Sequence, residues 1–215
     1  MINTLVLCDD AWHPAEVIES GFAPLDGEEF HFTFVKTAKD ILTPEMLTEY
    51  DVIICCKGNQ ISSSNSNVWF EEGVTEVTPR EFEDYIRAGG GFISGHSANT
   101  SKQGDTYTAL VGNYFLGHPP RCTTQVKITT DHPITAGVED FVIRDEHYQI
   151  TVTASDAQVL FTTSSEAGGE QIAGYAREIG EGRLAVLTPG HTLSAWLAPG
   201  YQKLWANAIR WAAKR

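Results

Sequence analysis

Basic side chains are scarce in this chain. Its 215 residues include 15 lysines and arginines against 28 aspartates and glutamates, which gives a formal net charge of -13. Nucleic acids and anionic membrane surfaces are polyanions, and they repel a surface of the same sign. The balance of charge therefore argues against nucleic acid and membrane partners, but it says nothing about a small-molecule substrate.

Long apolar runs are also missing. No stretch approaches the roughly 18 apolar residues that a membrane-spanning helix needs. Residues 1–8 lack the basic start and long apolar region of a secretory signal, and they are typical of a first strand. Cysteine is rare and shows no metal-type spacing, so the sequence predicts no disulfide framework. A reducing compartment, the cytoplasm, is the expected location.

Three motifs that would point to a known chemistry are absent. The sequence has no Gly-x-Ser-x-Gly elbow, and neither Ser94 nor Ser97 fits that frame. It also has no P-loop and no Gly-x-Gly-x-x-Gly fingerprint. We therefore expect no nucleotide cofactor.

The segments that are present predict an α/β fold. In the first half, buried apolar runs such as 4–8 and 51–56 alternate with helix starts. Residues 78–81 (Thr-Pro-Arg-Glu) combine an N-cap, a proline and a capping box. Several strands then follow one another before an amphipathic helix over 201–213. We predict one domain, 1–215, with a sheet that carries an antiparallel extension.

Two segments have less regular patterns. Apolar residues at helical spacing predict a helix over 105–116. Residues 57–76 are polar and rich in serine and asparagine, which predicts a long loop. A loop of that length is either functional or a surface insertion.

The stretch from Gly89 to Asn99 is the part of the chain around which we expect the fold to be organised. Three glycines end a helix, a short buried strand follows, and His96 comes directly after it among small residues. Ligands of open parallel sheets bind beyond the carboxyl ends of the strands. His96 is therefore a candidate functional residue, with simple capping of the next segment as the alternative.

Other imidazoles and one carboxylate follow strands in the same way. Parallel strands end at one edge of a sheet, so we expect these side chains to converge. His191 joins them only if its strand is parallel to the others. Imidazole and carboxylate together can perform acid–base catalysis or bind a metal such as zinc. No two of these histidines have the i, i+4 spacing of a helical metal pair, so both uses stay open. The candidates are His13, His96, His118, Glu146 and His191.

Further residues near this edge have two interpretations each. Trp12 and Trp196 either stack on a sugar or pack in the core. Arg183, in a tight glycine turn, either binds an anion of the substrate or lies in water. Asp145 and Glu146 are either part of the site or solvated acids of a turn.

Several short segments, in the same order along the chain, resemble those of the ThuA-like (trehalose utilisation) family, a branch of the class I glutamine amidotransferase-like fold. They run in family order from residue 89 to residue 212. The segments are residues 89–98, 116–119, 131–137, 145–148, 182–183, 190–191 and the terminal helix ending at 211–212.

The resemblance implies a flavodoxin-like, mostly parallel sheet with helices on both faces. It also implies a role in the metabolism of sugars, either disaccharides or their oxidised keto forms. Amidotransferases of this fold carry a nucleophilic cysteine at the strand-to-helix elbow, and a histidine after a late strand activates it. Here His96 occupies the elbow and His191 the position of the activating histidine. An imidazole cannot replace the thiolate in that mechanism, so we expect no glutaminase activity.

Two functions remain open. The first is an enzyme that hydrolyses or isomerises a sugar or keto-sugar, with His96, His191 and Glu146 as catalytic residues. A divalent metal such as zinc would be bound by His96, His191 and His13. Substrate would be bound by Trp12, His13, His118 and Arg183. The second is a non-catalytic module that binds a carbohydrate or a partner. Tryptophans near the terminal helix, if exposed, would permit a homodimer.

Overall fold

The protein is described by a computed structural model over residues 1–58 and 75–215, without the side chain of Asp40. Most of the predicted loop 57–76 lies outside the described residues. The described helices are α1 (Ala15–Phe22), α2 (Ala38–Ile41), α3 (Pro44–Leu47), α4 (Pro79–Arg87), α5 (Thr106–Val111), α6 (Leu193–Trp196) and α7 (Pro199–Ala212).

Strands alternate with these helices in the first half of the chain and follow one another in the second. They are β1 (Ile2–Leu7), β2 (Phe30–Val35), β3 (Val52–Cys55), β4 (Gly91–Gly95), β5 (Asn113–Gly117), β6 (Cys122–Ile128), β7 (Phe141–Asp145), β8 (Gln149–Val152), β9 (Gln158–Ser165), β10 (Gly169–Ile179) and β11 (Gly182–Leu187).

The main sheet joins a parallel half to an antiparallel half. Its strand order is β2-β1-β3-β4-β11-β10-β9-β6-β7. The first five strands are parallel, and β11 pairs in parallel with β4 with Leu187 opposite Gly95. The remaining strands are antiparallel to their neighbours, and β5 and β8 form a separate two-stranded sheet. The predicted parallel sheet with an antiparallel extension is confirmed.

Helices cover both faces of the sheet, as predicted. One apolar cluster packs α1 and α7 on one face, and a second packs α4 and α5 on the other. Because successive strand residues point to opposite faces, the adjacent Cys55 and Cys56 enter different clusters. The core thus lies in two layers, one on each side of a rigid sheet.

The predicted helix over 105–116 is wrong in its second half. Helix α5 ends at Val111 because Gly112 adopts the left-handed conformation (φ 84°), which favours glycine. The chain then extends as β5, and the antiparallel partner β8 was not predicted. The aromatic residues Tyr114 and Phe115 belong to this strand, where pairing with β8 overrides their helical spacing.

The tryptophans near the end of the chain are buried, contrary to expectation. Trp196 and Trp205 have no exposed surface and stack with ring centroids 5.1 Å apart, while Trp211 is 7% exposed. Trp196 and Trp205 pack against Phe22 of α1, and Trp211 packs against His132 and Arg183. They offer no exposed surface for a homodimer, which stays a prediction without this support.

Candidate functional site

Three parallel strands deliver three histidines to one edge of the sheet. His13 follows β1 in a loop, His96 comes directly after β4, and His191 follows β11. The ring centroid of His13 lies 4.8 Å from that of His96 and 5.1 Å from that of His191. The sequence-based expectation that these imidazoles converge is confirmed as geometry, and their chemical roles remain predictions.

His96 lies at a strained elbow between β4 and a single-turn helix (residues 96–100). Its φ is +35°, a left-handed value that costs free energy in a non-glycine residue. Beneath it, Asn99 donates hydrogen bonds to the carbonyls of Ser94 and His96, and Ser94 donates to the Asn99 side chain. These buried bonds hold the elbow in the strained conformation.

A hydrogen bond to an oxygen fixes the tautomer of each buried ring. His13 Nδ1 donates to Asp10 at 2.7 Å, and His96 Nδ1 donates to the carbonyl of Thr188 at 2.8 Å. In each neutral ring the Nε2 atom therefore carries the lone pair. Burial lowers the pKa of His13 despite the hydrogen bond to Asp10, which favours the neutral imidazole.

Asp10 shapes the whole loop after β1. Its carboxylate accepts hydrogen bonds from the backbone N–H groups of Trp12, His13 and Gly58 as well as from the His13 ring. Burial opposes ionisation of Asp10, but these hydrogen bonds, above all that of His13, outweigh it and lower its pKa to about 2. Asp10 is thus an anion that orients His13.

Asp145 holds the loop that carries His191 in the same way, by accepting hydrogen bonds from its backbone N–H groups. The residue is 1% exposed, and its carboxylate accepts hydrogen bonds from the backbone N–H groups of Gly190, His191 and Thr192 at 2.6 to 3.1 Å. Gly190 adopts φ 133° and lies against the Cβ atom of His96, an approach that a larger residue would obstruct. Asp145 is therefore a buried support of the site and not a solvated acid of a turn.

Glu146 lies among the imidazoles. Its Oε2 atom is 3.2 Å from His191 Nδ1, 3.6 Å from His96 Nε2 and 3.6 Å from His118 Nε2. Burial alone would raise the pKa of Glu146, but His191 and His96 outweigh it and hold the pKa well below its ordinary value. The side chain is therefore ionised at neutral pH.

Three ring nitrogens of this cluster have no well-aligned hydrogen bond, although Glu146 Oε2 lies 3.2 Å from one of them and 3.6 Å from another. They are His13 Nε2, His96 Nε2 and His191 Nδ1, each buried and without an aligned partner among the described residues. Leaving such an atom unsatisfied costs about 1 to 3 kcal/mol. The convergence of three of them in one place indicates a site built for a ligand. The ligand atoms of His13, His96, Glu146 and His191 all lie within 4.8 Å of one another.

Three members of the cluster, His13, Glu146 and His191, line a cavity of about 820 Å³, and His96 lies buried behind them. Trp12, 68% exposed, stands on one wall, and Tyr148 stacks on His96 with centroids 4.2 Å apart. A cavity of this size accommodates a small molecule such as a sugar. The described lining residues are Trp12, His13, Thr100, Ser101, Lys102, Asp105, Phe115, His118, Arg121, Glu146, Tyr148 and His191.

Two predicted residues do not belong to this site. Arg183 lies at the opposite end of β11, beside Gly91, where its guanidinium donates to the carbonyl of Trp211 and stacks on that ring. The prediction that it binds substrate here is wrong, because its strand begins at the edge remote from the histidines. Trp196 is buried and donates its ring N–H to the carbonyl of Gly190, so it supports the His191 loop from below.

Sequence reasoning missed several residues of the cavity. Lys102, Phe115 and Arg121 line it, although neither their spacing nor their neighbours set them apart in the sequence. Tyr148 had a usable signal, since it follows Glu146 by two residues in a segment already singled out.

A five-stranded parallel half-sheet of order β2-β1-β3-β4-β11, with an elbow after β4, defines the class of fold found in glutamine amidotransferases. A Thermoplasma acidophilum protein whose description places it in GMP synthase has this fold. It is 12% identical, with a TM-score of 0.60, and the match covers 100% of this chain and 96% of that one.

The chain belongs to the ThuA family, described as trehalose utilisation, whose profile matches residues 9–212. Membership implies a role in the utilisation of trehalose or related carbohydrates. Among solved structures, a protein from Bacteroides uniformis described as ThuA-like is 22% identical, with a TM-score of 0.74 over 98% of this chain and 91% of that one. A protein from Parabacteroides merdae with the same description is 16% identical, with a TM-score of 0.73 over 99% and 90%.

No curated protein matches the sequence. Among the described residues, none of the helices combines the length and apolar character that crossing a membrane requires.

Proposed function

We propose that this protein is an enzyme that hydrolyses or isomerises a sugar or keto-sugar, with a divalent metal such as zinc bound by His13, His96 and His191. The observation that carries the proposal is the convergence of three imidazole nitrogens without a well-aligned hydrogen bond on one carboxylate, beside a cavity that His13, Glu146 and His191 line. The carbohydrate role of the family supports the substrate class.

The donor set fits a metal of this kind. Neutral imidazoles and a carboxylate are ligands of zinc and other divalent transition metals. In a tetrahedron with bonds of about 2.1 Å, ligand atoms are about 3.4 Å apart. The ligand atoms of His13, His96 and His191 lie within 4.8 Å of one another, so small side-chain shifts would bring the three rings to such a spacing. Asp10 and the Thr188 carbonyl orient two of the rings as outer partners of metal-binding histidines usually do.

His13, His96 and His191 would hold the metal, and Glu146 would act as the base. When bound, the metal would polarise a carbonyl or leaving oxygen, an effect worth several kcal/mol. In isomerisation, Glu146 takes a proton from the carbon next to the carbonyl and returns it to the product. In hydrolysis, Glu146 takes a proton from the attacking water while the leaving sugar oxygen receives one from His118, so that one water is consumed and two sugars form.

The described carboxylates do not form the pair that glycosidases use without a metal. Asp10 and Asp145 are occupied by backbone N–H groups, and Asp105 caps α5 by accepting from Tyr107. Glu146 shares the described cavity lining with one other carboxylate, Asp105, whose Oδ1 atom already caps α5. This favours metal-assisted chemistry over the two-carboxylate mechanism.

Glutaminase activity is not part of the proposal. None of the four cysteines lines the cavity, and Cys8, Cys55 and Cys56 are buried. Burial raises the pKa of Cys8 to about 12 and that of Cys55 to about 11, which keeps these thiols protonated and unreactive. His96 at the elbow cannot form the thioester intermediate.

Removal and return of the metal tests the proposed function. The protein is treated with a chelator, dialysed and reloaded with zinc or manganese, and metal content is measured by elemental analysis. Disaccharides and their keto forms are then followed by NMR. We expect one metal per chain and turnover at least about a hundredfold higher in the loaded protein, since several kcal/mol of stabilisation are lost without it.

The alternative function, a carbohydrate-binding module, predicts a different result. Sugar would then bind equally to the metal-loaded and the metal-stripped protein, and neither would convert it to a product. The absence of stoichiometric metal would contradict the proposed centre, and turnover of glutamine would contradict both functions.

The variant Glu146→Gln tests the role of the carboxylate. Because Gln cannot accept a proton in this way, turnover should fall about a hundredfold to ten-thousandfold while most of the metal is retained. Metal content and kcat are measured on the same preparation. Loss of the metal with the carboxylate would make Glu146 a ligand and not the base, and unchanged kcat would exclude both roles.

A further inference from the structure

The cavity contains two cations in an acidic protein. Lys102 follows the turn that begins at His96, and Arg121 precedes β6, so different segments bring them to the lining of the cavity. Both residues are exposed, and both line the cavity. In a chain of net charge -13, a cavity lined by two basic and two acidic residues is less negative than the chain as a whole.

Neither cation forms an ion pair with a described carboxylate. The one contact found for Lys102 Nζ with a side chain is the ring of Phe115, 5.0 Å from its centroid, and Arg121 has no described partner. Other basic residues of the described chain do form such pairs, for example Lys36 with Glu19 and Arg210 with Glu29. Lys102 and Arg121 therefore remain available to bind a ligand, although acidic residues outnumber basic ones in this chain.

Two acids, Asp105 and Glu146, also line the cavity, so its described lining has no net charge when no metal is bound. Asp105 accepts the Tyr107 N–H as the N-cap of α5, and Glu146 lies among the histidines. If a divalent metal is bound, the described cavity carries four positive charges, from the metal, Lys102 and Arg121, against two negative ones. The net charge favours an anionic ligand. The described lining also contains no asparagine or glutamine, the amide side chains that can both donate to and accept from neutral hydroxyl groups.

We propose that the substrate is a sugar with an acid group, a carboxylate or a phosphate, which Lys102 and Arg121 bind while the sugar ring reaches the histidine cluster. This proposal rests on the proposed function for the site and narrows its substrate class. Arginine and lysine bind both acid groups through charge-assisted hydrogen bonds, and arginine can do so in bidentate geometry.

Matched ligands separate the acid group from the sugar. Calorimetric titration of the metal-loaded chain compares glucose, glucuronate and glucose 6-phosphate, which differ at one carbon. We expect at least one acid to bind about tenfold more tightly than glucose, a difference of about 1.4 kcal/mol. Raising the salt concentration to about 0.5 M should weaken the binding of the sugar acid and leave the affinity for glucose unchanged. A preference for glucuronate identifies a carboxylate, and one for glucose 6-phosphate identifies a phosphate.

Charge-removing variants locate the binding of the acid. Lys102→Gln and Arg121→Gln should each weaken the affinity for the sugar acid about fivefold, while the metal content stays at the wild-type value. Lys127→Gln, an exposed cation on β6 outside the cavity, is the matched control and should have no effect. Because the preference depends on these side chains, it should also persist in the metal-stripped protein.

Three outcomes would overturn the proposal. They are equal affinity for glucose and both acids, no binding of any of the three ligands, and a preference for acids that survives in the double variant Lys102→Gln/Arg121→Gln. The last would assign the acid to the metal. A protein that binds no metal but still prefers sugar acids over glucose would contradict the proposed function and support the acid-binding site. The failure of one proposal is therefore distinguishable from the failure of the other.

Discussion

Replacing His96 with alanine should remove the metal and abolish turnover. Structural zinc sites of four ligands have binding free energies of about 10 to 16 kcal/mol, so each ligand contributes roughly 3 kcal/mol and its loss weakens binding more than a hundredfold. Turnover should fall further, because the base Glu146 would also lose a neighbour that fixes its position. Competition with a fluorescent chelator measures the affinity, and elemental analysis measures the stoichiometry.

Two further variants make this result specific. His191→Ala should behave like His96→Ala, since its Nδ1 atom lies 3.2 Å from the same carboxylate. His31→Ala, on the exposed side of β2, removes a histidine remote from the cavity and should retain both metal and turnover. Full metal content in His96→Ala would refute the proposed ligand set. Circular dichroism checks that each variant is folded, which matters because the substitution falls on the strained φ of His96.

The sequence allowed the convergence of the histidines to be predicted because strand direction is encoded locally. Buried apolar runs separated by helices predict parallel strands, and parallel strands end at one edge. His13 and His96 follow from this argument alone. His191 needed one further fact, the direction of β11, which the turn at Gly180 made antiparallel to β10 and hence parallel to β4.

Residues brought in by long-range pairing were not predictable in the same way. Glu146 reaches the histidines because β7, at the far edge of the sheet, ends near the loop after β11, and Asp145 joins the two. The pairing of β5 with β8 is equally non-local, and it places Phe115 and Tyr148 in contact with centroids 4.8 Å apart. Single-residue patterns contain no information about which distant strand becomes a partner.

The wrong assignment of Arg183 has a simple structural cause. The same glycine turn that precedes β11 sets this residue at the amino end of the strand, at the edge opposite to the one used by the histidines. A charged residue next to a tight turn is equally suited to either edge until the strand order is known. Here it supports the end of α7 through the carbonyl of Trp211.

Asp145→Ala should cause the largest loss of stability among single substitutions at the site. The carboxylate is buried and accepts three backbone hydrogen bonds, so its removal leaves the N–H groups of Gly190, His191 and Thr192 without their acceptor. Hydrogen bonds to charged groups contribute about 1.5 to 3 kcal/mol each and are not additive, and we expect a loss of about 4 kcal/mol in the free energy of unfolding. For a domain of this size the Tm should fall by about 10 °C.

The measurement is made on chelator-treated protein, because metal binding to the folded state would add to its apparent stability. Asp84→Ala, an exposed position on α4, is the matched control and should change the free energy of unfolding by less than about 0.5 kcal/mol. Asp145→Asn should lie between the two, since one amide oxygen can still accept while the amide nitrogen faces N–H donors. A loss below about 1 kcal/mol in Asp145→Ala would mean that the loop holds His191 by other contacts, such as the Trp196 hydrogen bond to Gly190.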